Sequence, residues 1–277
     1  MANIAILSYL KRDSLVHELT GTTKLIFFIA WSVATMVTYD TRVLAVLLIL
    51  SVVIFKVSKV RLYDIRFVLG LAVVFVLLNN LFVYLFAPEY GVELYESRTV
   101  LFTIAGPYTI TLQQLFYHLN MTMKVACVVP VALLFIACTD PSEFAASLAS
   151  IGVSYRIGYS VSLALRYIPD VQREYHNISQ AQQARGIDLS GKDKVFTRMK
   201  NSVAILLPLV LSSLNRIETV SNAMELRGFG KDKKRTWYSQ RKMKRNDWLV
   251  IALAVTVFVV DMTVTFWDGS RYYNPFL

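Results

Sequence analysis

"SQAQQARGID", residues 179–188, and "SNAMELRGFG", residues 221–230, share the pattern Ser-x-Ala-x-x-[Ala/Leu]-Arg-Gly. Each reads as the closing turns of a helix. The small residues Ser179, Ala181, Ser221 and Ala223 let another backbone approach, and Gly186 or Gly228 can take the left-handed conformation of a helix C-cap. An arginine in a last turn meets the helix dipole favourably, worth a few tenths to about 1 kcal/mol. That accounts for one such end. A repeat 42 positions later asks for more. A tip carrying Arg185 or Arg227 holds out a planar, permanently charged fork suited to a carboxylate on a partner.

The two helices run over about 156–185 and 195–227, separated by "GIDLSGKDK", whose glycines, aspartates and serine form loops. Each has an apolar first half and a polar second half. Pro169 and Pro208 fall in these halves, where each frees a backbone carbonyl and bends its helix. The stretch from Asn201 to Asn215 carries no charge for 15 residues. That length is more typical of a buried or interfacial segment than of a membrane span. Upstream, "TDPSEF" marks a helix start, with Asp140 as N-cap, Pro141 at the first helical position and Glu143 at the third. Phe144, Leu148 and Ile151 then follow helical spacing until Gly152.

The chain as a whole is strongly apolar, with 277 residues, 55% hydrophobic content and a mean hydropathy of +0.48. This composition belongs to the membrane class. Stretches free of Asp, Glu, Lys and Arg cover 25–39, 43–55, 67–88, 99–123, 125–139 and 248–260. Five spans follow, near 24–40, 43–58, 67–88, 114–138 and 248–267. Some apolar runs are shorter than the roughly 20 residues a spanning helix needs, so Lys24, Lys56 and Asp261 must snorkel or lie inside the protein. The expected architecture is an all-α polytopic membrane protein.

The formal charge of +10 is concentrated, because residues 156–245 hold 18 of the 29 Lys and Arg but 7 of the 19 acids. Lys and Arg favour the cytoplasmic side of a membrane. This segment, the loop from Lys56 to Arg66 and the end bearing Lys11, Arg12 and Lys24 are therefore expected in the cytoplasm, and the acidic loop from Glu89 to Glu96 outside. With five spans the N-terminus is cytoplasmic and the C-terminus external. The expected organisation is a cytoplasmic segment over 1–23, a transmembrane bundle over 24–139, a basic cytoplasmic region over 140–246, and a last span with an external tail over 247–277. Nucleic-acid binding does not follow from the charge, since basic and aromatic residues are not interleaved on one face.

Little in the chain reads as chemistry. Cys127 and Cys138 lie in apolar sequence with no CxxC or companion His, so small core residues are a better reading than a disulfide or a metal site. The opening "MANIAILSYLKRD" runs apolar then basic, the reverse of a signal peptide. None of His17, His118 and His176 is paired in the HExxH manner, and no GxxxxGK[ST] phosphate loop occurs, so this chain is not expected to bind ATP. Lys124, in apolar sequence with His118 and Asn120, is a functional candidate by default. Its plainer reading is local pairing with a neighbouring helix. Asn79, Asn80 and Tyr84 hint at a pocket, and interhelical hydrogen bonding explains them better.

With these residues in view the chain resembles the transmembrane T component of energy-coupling factor (ECF) transporters, the family shared with the membrane subunits of cobalt, nickel and biotin systems. "SLVHELTGTTKL", residues 14–25, is similar to the family opening Ser-x-x-His-x-Leu-Asp-Pro-Arg-x-Lys in Ser14, His17, Leu19 and Lys24. It departs at Gly21 and Thr22, so no role is attached to it. "ALRYIPDVQREYHNISQAQQARGID" follows the family pattern in Arg166, Pro169, Glu174 and Ala184-Arg185-Gly186. The second signature, normally Ala-Arg-Gly, is here Leu226-Arg227-Gly228.

The resemblance implies that the two signatures tip a pair of crossed coupling helices, with Arg185 docking in one ABC-type ATPase subunit and Arg227 in another. The differing copies are consistent with two non-identical ATPases or with one homodimer. It also implies that this chain binds no cofactor, ATP and Mg being held by the ATPases. Their motion would pass to a substrate-binding membrane S component that releases a vitamin or metal ion inside a prokaryotic cell. Pro169 and Pro208 would be bends in these levers or ordinary kinks. Two other readings stand beside it: a membrane-embedded enzyme using His118 and Lys124, and a permease subunit that binds the solute directly.

Overall fold

Each of the five charge-poor runs is a helix in the computed structural model, which describes residues 14–105, 108–187, 195–232, 237, 241–267 and 272–276. The described elements are α1 (Leu15–Glu18), α2 (Gly21–Val37), α3 (Thr41–Val57), α4 (Leu62–Phe86), α5 (Tyr90–Tyr95), β1 (Val100–Ala105), β2 (Tyr108–Thr111), α6 (Leu112–Cys138), α7 (Pro141–Ser150), α8 (Tyr155–Ala184), α9 (Val195–Leu226) and α10 (Arg245–Thr265). They fall into two compact units, one of Met1–Asp140 with Arg241–Leu277 and one of Pro141–Gln240. Lys11 and Arg12, and most of the loop after Gly186, lie outside the described residues.

The first unit is built on α6, which packs against α2, α3, α4 and α5. In an apolar medium a helix carbonyl without an intrahelical partner must find a donor inside the protein. Here side chains supply it. Lys24 of α2 donates to the carbonyl of Cys138, the last residue of α6, at 2.6 Å. In the reverse sense Lys124 of α6 donates to the carbonyl of Met36, in the last turn of α2, at 2.8 Å. Between them the Trp31 indole donates to the carbonyl of Cys127, within α6, at 3.2 Å. The two helices are thus antiparallel and pinned at three levels. Lys124 also lies over the Tyr39 ring, 3.0 Å from its centroid. Lys24 and Asp261 are buried, and Lys56 is exposed.

A second knot joins α2 to α10. The Asp247 carboxylate, 1% exposed, accepts from the Thr20 amide at 2.8 Å, the Thr20 hydroxyl at 3.0 Å, the Thr23 hydroxyl at 2.9 Å and the Lys244 amide at 2.8 Å. It satisfies orphan amides at the starts of two helices at once. The opening with no assigned role is therefore a cap: Ser14 starts α1 and bonds His17 Nδ1 at 2.7 Å, and Thr20 starts α2. Where the family opening has Asp-Pro-Arg, this chain caps α2 with Thr20 and a carboxylate from 227 residues away. At the far end of the same helix pair the Thr265 hydroxyl donates to that of Thr38 at 2.7 Å.

Two features differ from the expected plan. The charge-free run from 99 opens as a β-hairpin, β1 paired antiparallel with β2, before α6 begins. Its β-branched residues favour strand over helix. The uncharged stretch from Asn201 to Asn215, expected to be too short for a span, lies in a longer apolar segment of α9, and the 26 residues of Asn201–Leu226 are long and apolar enough to cross a membrane by length and composition. Ile65–Phe86, Leu112–Cys138 and Arg245–Thr265 meet the same criterion, and Gly21–Val37 is a shorter apolar helix.

The Asp247 knot carries a measurable load. Asp247→Ala leaves buried amides and hydroxyls without their acceptor and lowers stability by about 3 kcal/mol. Asp247→Asn, which keeps one acceptor oxygen, lies between wild type and alanine. Thermal unfolding of the purified protein in mild detergent gives this ranking.

Candidate functional site

The arginine tips belong to the second unit, and their geometry starts from the backbone. At the end of α8 the Gly186 amide bonds the Gln183 carbonyl at 2.9 Å and the Ile187 amide bonds that of Gln182 at 3.1 Å. At the end of α9 the Gly228 amide bonds the Glu225 carbonyl at 2.9 Å and the Phe229 amide that of Met224 at 2.9 Å. Both are complete Schellman closures, and both put a glycine at positive φ, +87° at Gly186 and +69° at Gly228. Helix α7 ends the same way, with Gly152 at +98°. The closure is thus a general device of this unit. What sets the two signatures apart is the residue before the glycine, Ile151 in α7 and arginine in α8 and α9. Arg185 and Arg227 are both exposed.

Contacts between α8 and α9 run antiparallel along their length. Near α8's C-terminus Gln182 donates to the Ala204 carbonyl at 3.1 Å. At mid-helix Glu174 accepts from Ser212 and from Arg216, the latter at 2.9 Å, and Arg216 lies 5.7 Å from the centroid of Tyr167. At α8's N-terminus Phe229 packs on Tyr159 and Tyr155 at 4.9 and 5.7 Å, and Arg156 donates to the Gly230 carbonyl at 3.0 Å. The consequence is geometric. Arg227 sits beside the start of α8 and Arg185 at its end, so the tips are separated by about 40 Å along the helix axis. Beside the Arg227 tip a cleft of 610 Å³ is lined by Arg156, Ser221, Glu225, Phe229 and Lys231, two cations against one carboxylate.

The prolines act where the sequence put them. Pro208 has no amide to offer the Ala204 carbonyl four residues earlier. That carbonyl is the one Gln182 caps from α8. Gln182 works twice, because its own carbonyl closes the Schellman motif next to Arg185. It ties one arginine tip to the break in the other helix. Pro169 lies within α8 and is exposed.

Of the small residues preceding the tips, Ser179 is buried, while Ala181, Ser221 and Ala223 are exposed together with Ala184 and Leu226. Leu226 is 90% exposed, so the isobutyl group that replaces alanine points away from the fold. Sequence reasoning missed Gln182, Ser212 and Arg216. Only the carbonyl freed by Pro208 signalled that a donor was needed. In the first unit Asn80 is spent on α6, bonding Thr122 at 3.0 Å and His118 at 2.8 Å, and Asn79 is exposed. Among the described residues no three His, Cys, Asp or Glu side chains gather as metal ligands would.

The CbiQ family, described as cobalt transport protein, matches residues 12–238. Relatives named energy-coupling factor transporter transmembrane protein EcfT include that of Staphylococcus aureus, 26% identical over 265 residues that cover 91% of this chain and 95% of the relative. That of Lactococcus lactis subsp. cremoris is 24% identical over 280 residues, covering 97% and 99%. That of Limosilactobacillus fermentum is 40% identical over a shorter 105 residues, covering 38% and 39%.

Two stability tests address this geometry. A Cβ at Gly186 would meet nothing within 4 Å, so Gly186→Ala reports backbone strain alone and costs about 1 kcal/mol, with Gly186→Asn costing less. Gln182→Ala orphans the Ala204 carbonyl and costs about 1 kcal/mol, and this cost falls toward zero once Pro208→Ala restores the missing amide. Thermal unfolding of the single and double variants measures both.

Proposed function

We propose a coupling role for this chain, which belongs to the CbiQ family of cobalt transport proteins: it is the transmembrane component of an energy-coupling factor transporter. In this reading Arg185 and Arg227 each enter an acidic groove on an ABC-type ATPase subunit. The observation that carries it is the repeat itself, two helices that end in the same closure with an exposed arginine before the glycine, held at opposite ends of one antiparallel pair. Arg156 and Lys231 near the Arg227 tip, against the single acid Glu225 in that cleft, add a modest positive charge that favours a partner bearing carboxylates.

The chain supplies no reaction of its own. ATP and Mg are bound and turned over by the ATPases, and the change in their separation is carried by α8 and α9 as rigid levers. A separate S component in the membrane selects the vitamin or metal ion. The helices lie in a prokaryotic cell membrane with the basic segment cytoplasmic, the N-terminus inside and the C-terminus outside, as the Lys and Arg distribution directs. The names of the EcfT relatives and the family match along residues 12–238 support this assignment.

Charge reversal separates docking from folding, because both arginines are exposed. Arg185→Glu or Arg227→Glu weakens retention of the ATPases by about 2–5 kcal/mol, while the chain still inserts and purifies. Affinity purification from membranes with quantification of the copurifying ATPases reads the effect. Full retention with both arginines reversed would contradict the assignment.

A further inference from the structure

The first unit carries a groove of 460 Å³ between α1, α2, α3, α6 and α10. Its walls are almost wholly apolar, including Leu19, Phe28, Val57, Leu134, Leu249 and Leu253. Along α10 it runs from Asn246 to Leu253, about 10 Å of helix measured from the charged end of the bundle. A surface of this kind beside membrane spans excludes water and takes hydrocarbon.

The charges around it are one-sided. Lys24 lies in the wall, its ammonium held on the Cys138 carbonyl at 2.6 Å and the His17 carbonyl at 3.5 Å. Arg241, Lys242, Lys244 and Arg245, all exposed, immediately precede α10. This basic run is fastened to the mouth, because the Arg241 guanidinium donates to the carbonyl of Leu19, a residue that lines the groove, at 3.4 Å. Exposed Lys56 adds a further cation next to Val57. Among the described residues the acids near this end are Glu18, exposed, Asp140, just beyond α6, and Asp247, whose carboxylate is occupied by Thr20, Thr23 and the Lys244 amide.

We propose that this groove is a binding site for an anionic phospholipid, one acyl chain lying between α2, α3, α6 and α10 and the headgroup on the Arg241–Arg245 run. An apolar slot two turns deep with cations at one end only matches an amphiphile with one anionic head. A partner membrane helix would need no such charge. Basic clusters that flank a membrane helix attract anionic headgroups by the same electrostatics. The site depends on the membrane bundle alone, so it stands or falls independently of ATPase docking.

The test is native mass spectrometry of the full chain released from mixed phosphatidylcholine and phosphatidylglycerol membranes. A retained phosphatidylglycerol adduct is expected, with phosphatidylcholine lost under the same conditions. Replacing Lys242, Lys244 and Arg245 with Gln, all at exposed positions, lowers occupancy by roughly fivefold per residue removed, and Lys→Arg changes restore it. Val250 also lines the groove, and Val250→Trp, which fills it, abolishes the adduct even with the cations intact. Equal retention of the two lipids, or no change in the triple Gln variant, overturns the proposal. So does loss of the adduct whenever a copurifying membrane subunit is present, since the groove would then be that subunit's seat.

Discussion

A helix carbonyl stranded in apolar surroundings has to be given a donor, and much of this structure is arranged around that requirement. Lys24 and Lys124 each reach across to the backbone of a neighbouring helix and satisfy a carbonyl in its last turn, and Trp31 adds a bond to the Cys127 carbonyl between them. Gln182 does the same at the break made by Pro208. These contacts serve packing and polarity together. Lys24 and Lys124 become tolerable inside the bundle because each is spent on backbone, and antiparallel helices acquire a register that apolar contact alone would leave loose.

The same logic shapes the arginine tips. A Schellman closure consumes the last carbonyls of α8 and α9 through the backbone itself, and the arginines before the glycines are exposed. The glycines are needed for the positive φ that makes the closure, since at Gly186 there is room for a side chain. Gln182 then fastens the Arg185 tip to α9, and Phe229 with Arg156 fastens the Arg227 end to α8. Each tip is thus braced against the other helix of the pair, a property that the proposed coupling role requires.

Much of this was legible in the residues. Charge-free runs located α2, α3, α4, α6 and α10 to within a few positions, because the cost of placing a charge in an apolar span is large enough to write itself into composition. Glycine and proline punctuation located α7, α8 and α9 equally well, and the repeated Arg-Gly led to both tips. The long-range polar partners could not be read. Asp247 is a plain first-turn acid in sequence, and only the fold reveals that it caps α2 from 227 residues away. Gln182 is one of three glutamines in the first signature, and its role depends on the register with Ala204. The β-hairpin was hidden for a different reason: a run of apolar β-branched residues next to a span has the same hydropathy as the span itself.

The account rests on the two tips meeting ATPase subunits at separate places, and site-directed cross-linking tests this most directly. Native Cys127 and Cys138 are buried, so single cysteines introduced at Ala184 and Leu226, exposed beside Arg185 and Arg227, can be addressed selectively. In the complex isolated from membranes, each is predicted to cross-link to an ATPase subunit and to be shielded from a water-soluble thiol reagent. Cysteines at both positions that stay open to the reagent and join no ATPase would contradict the central claim.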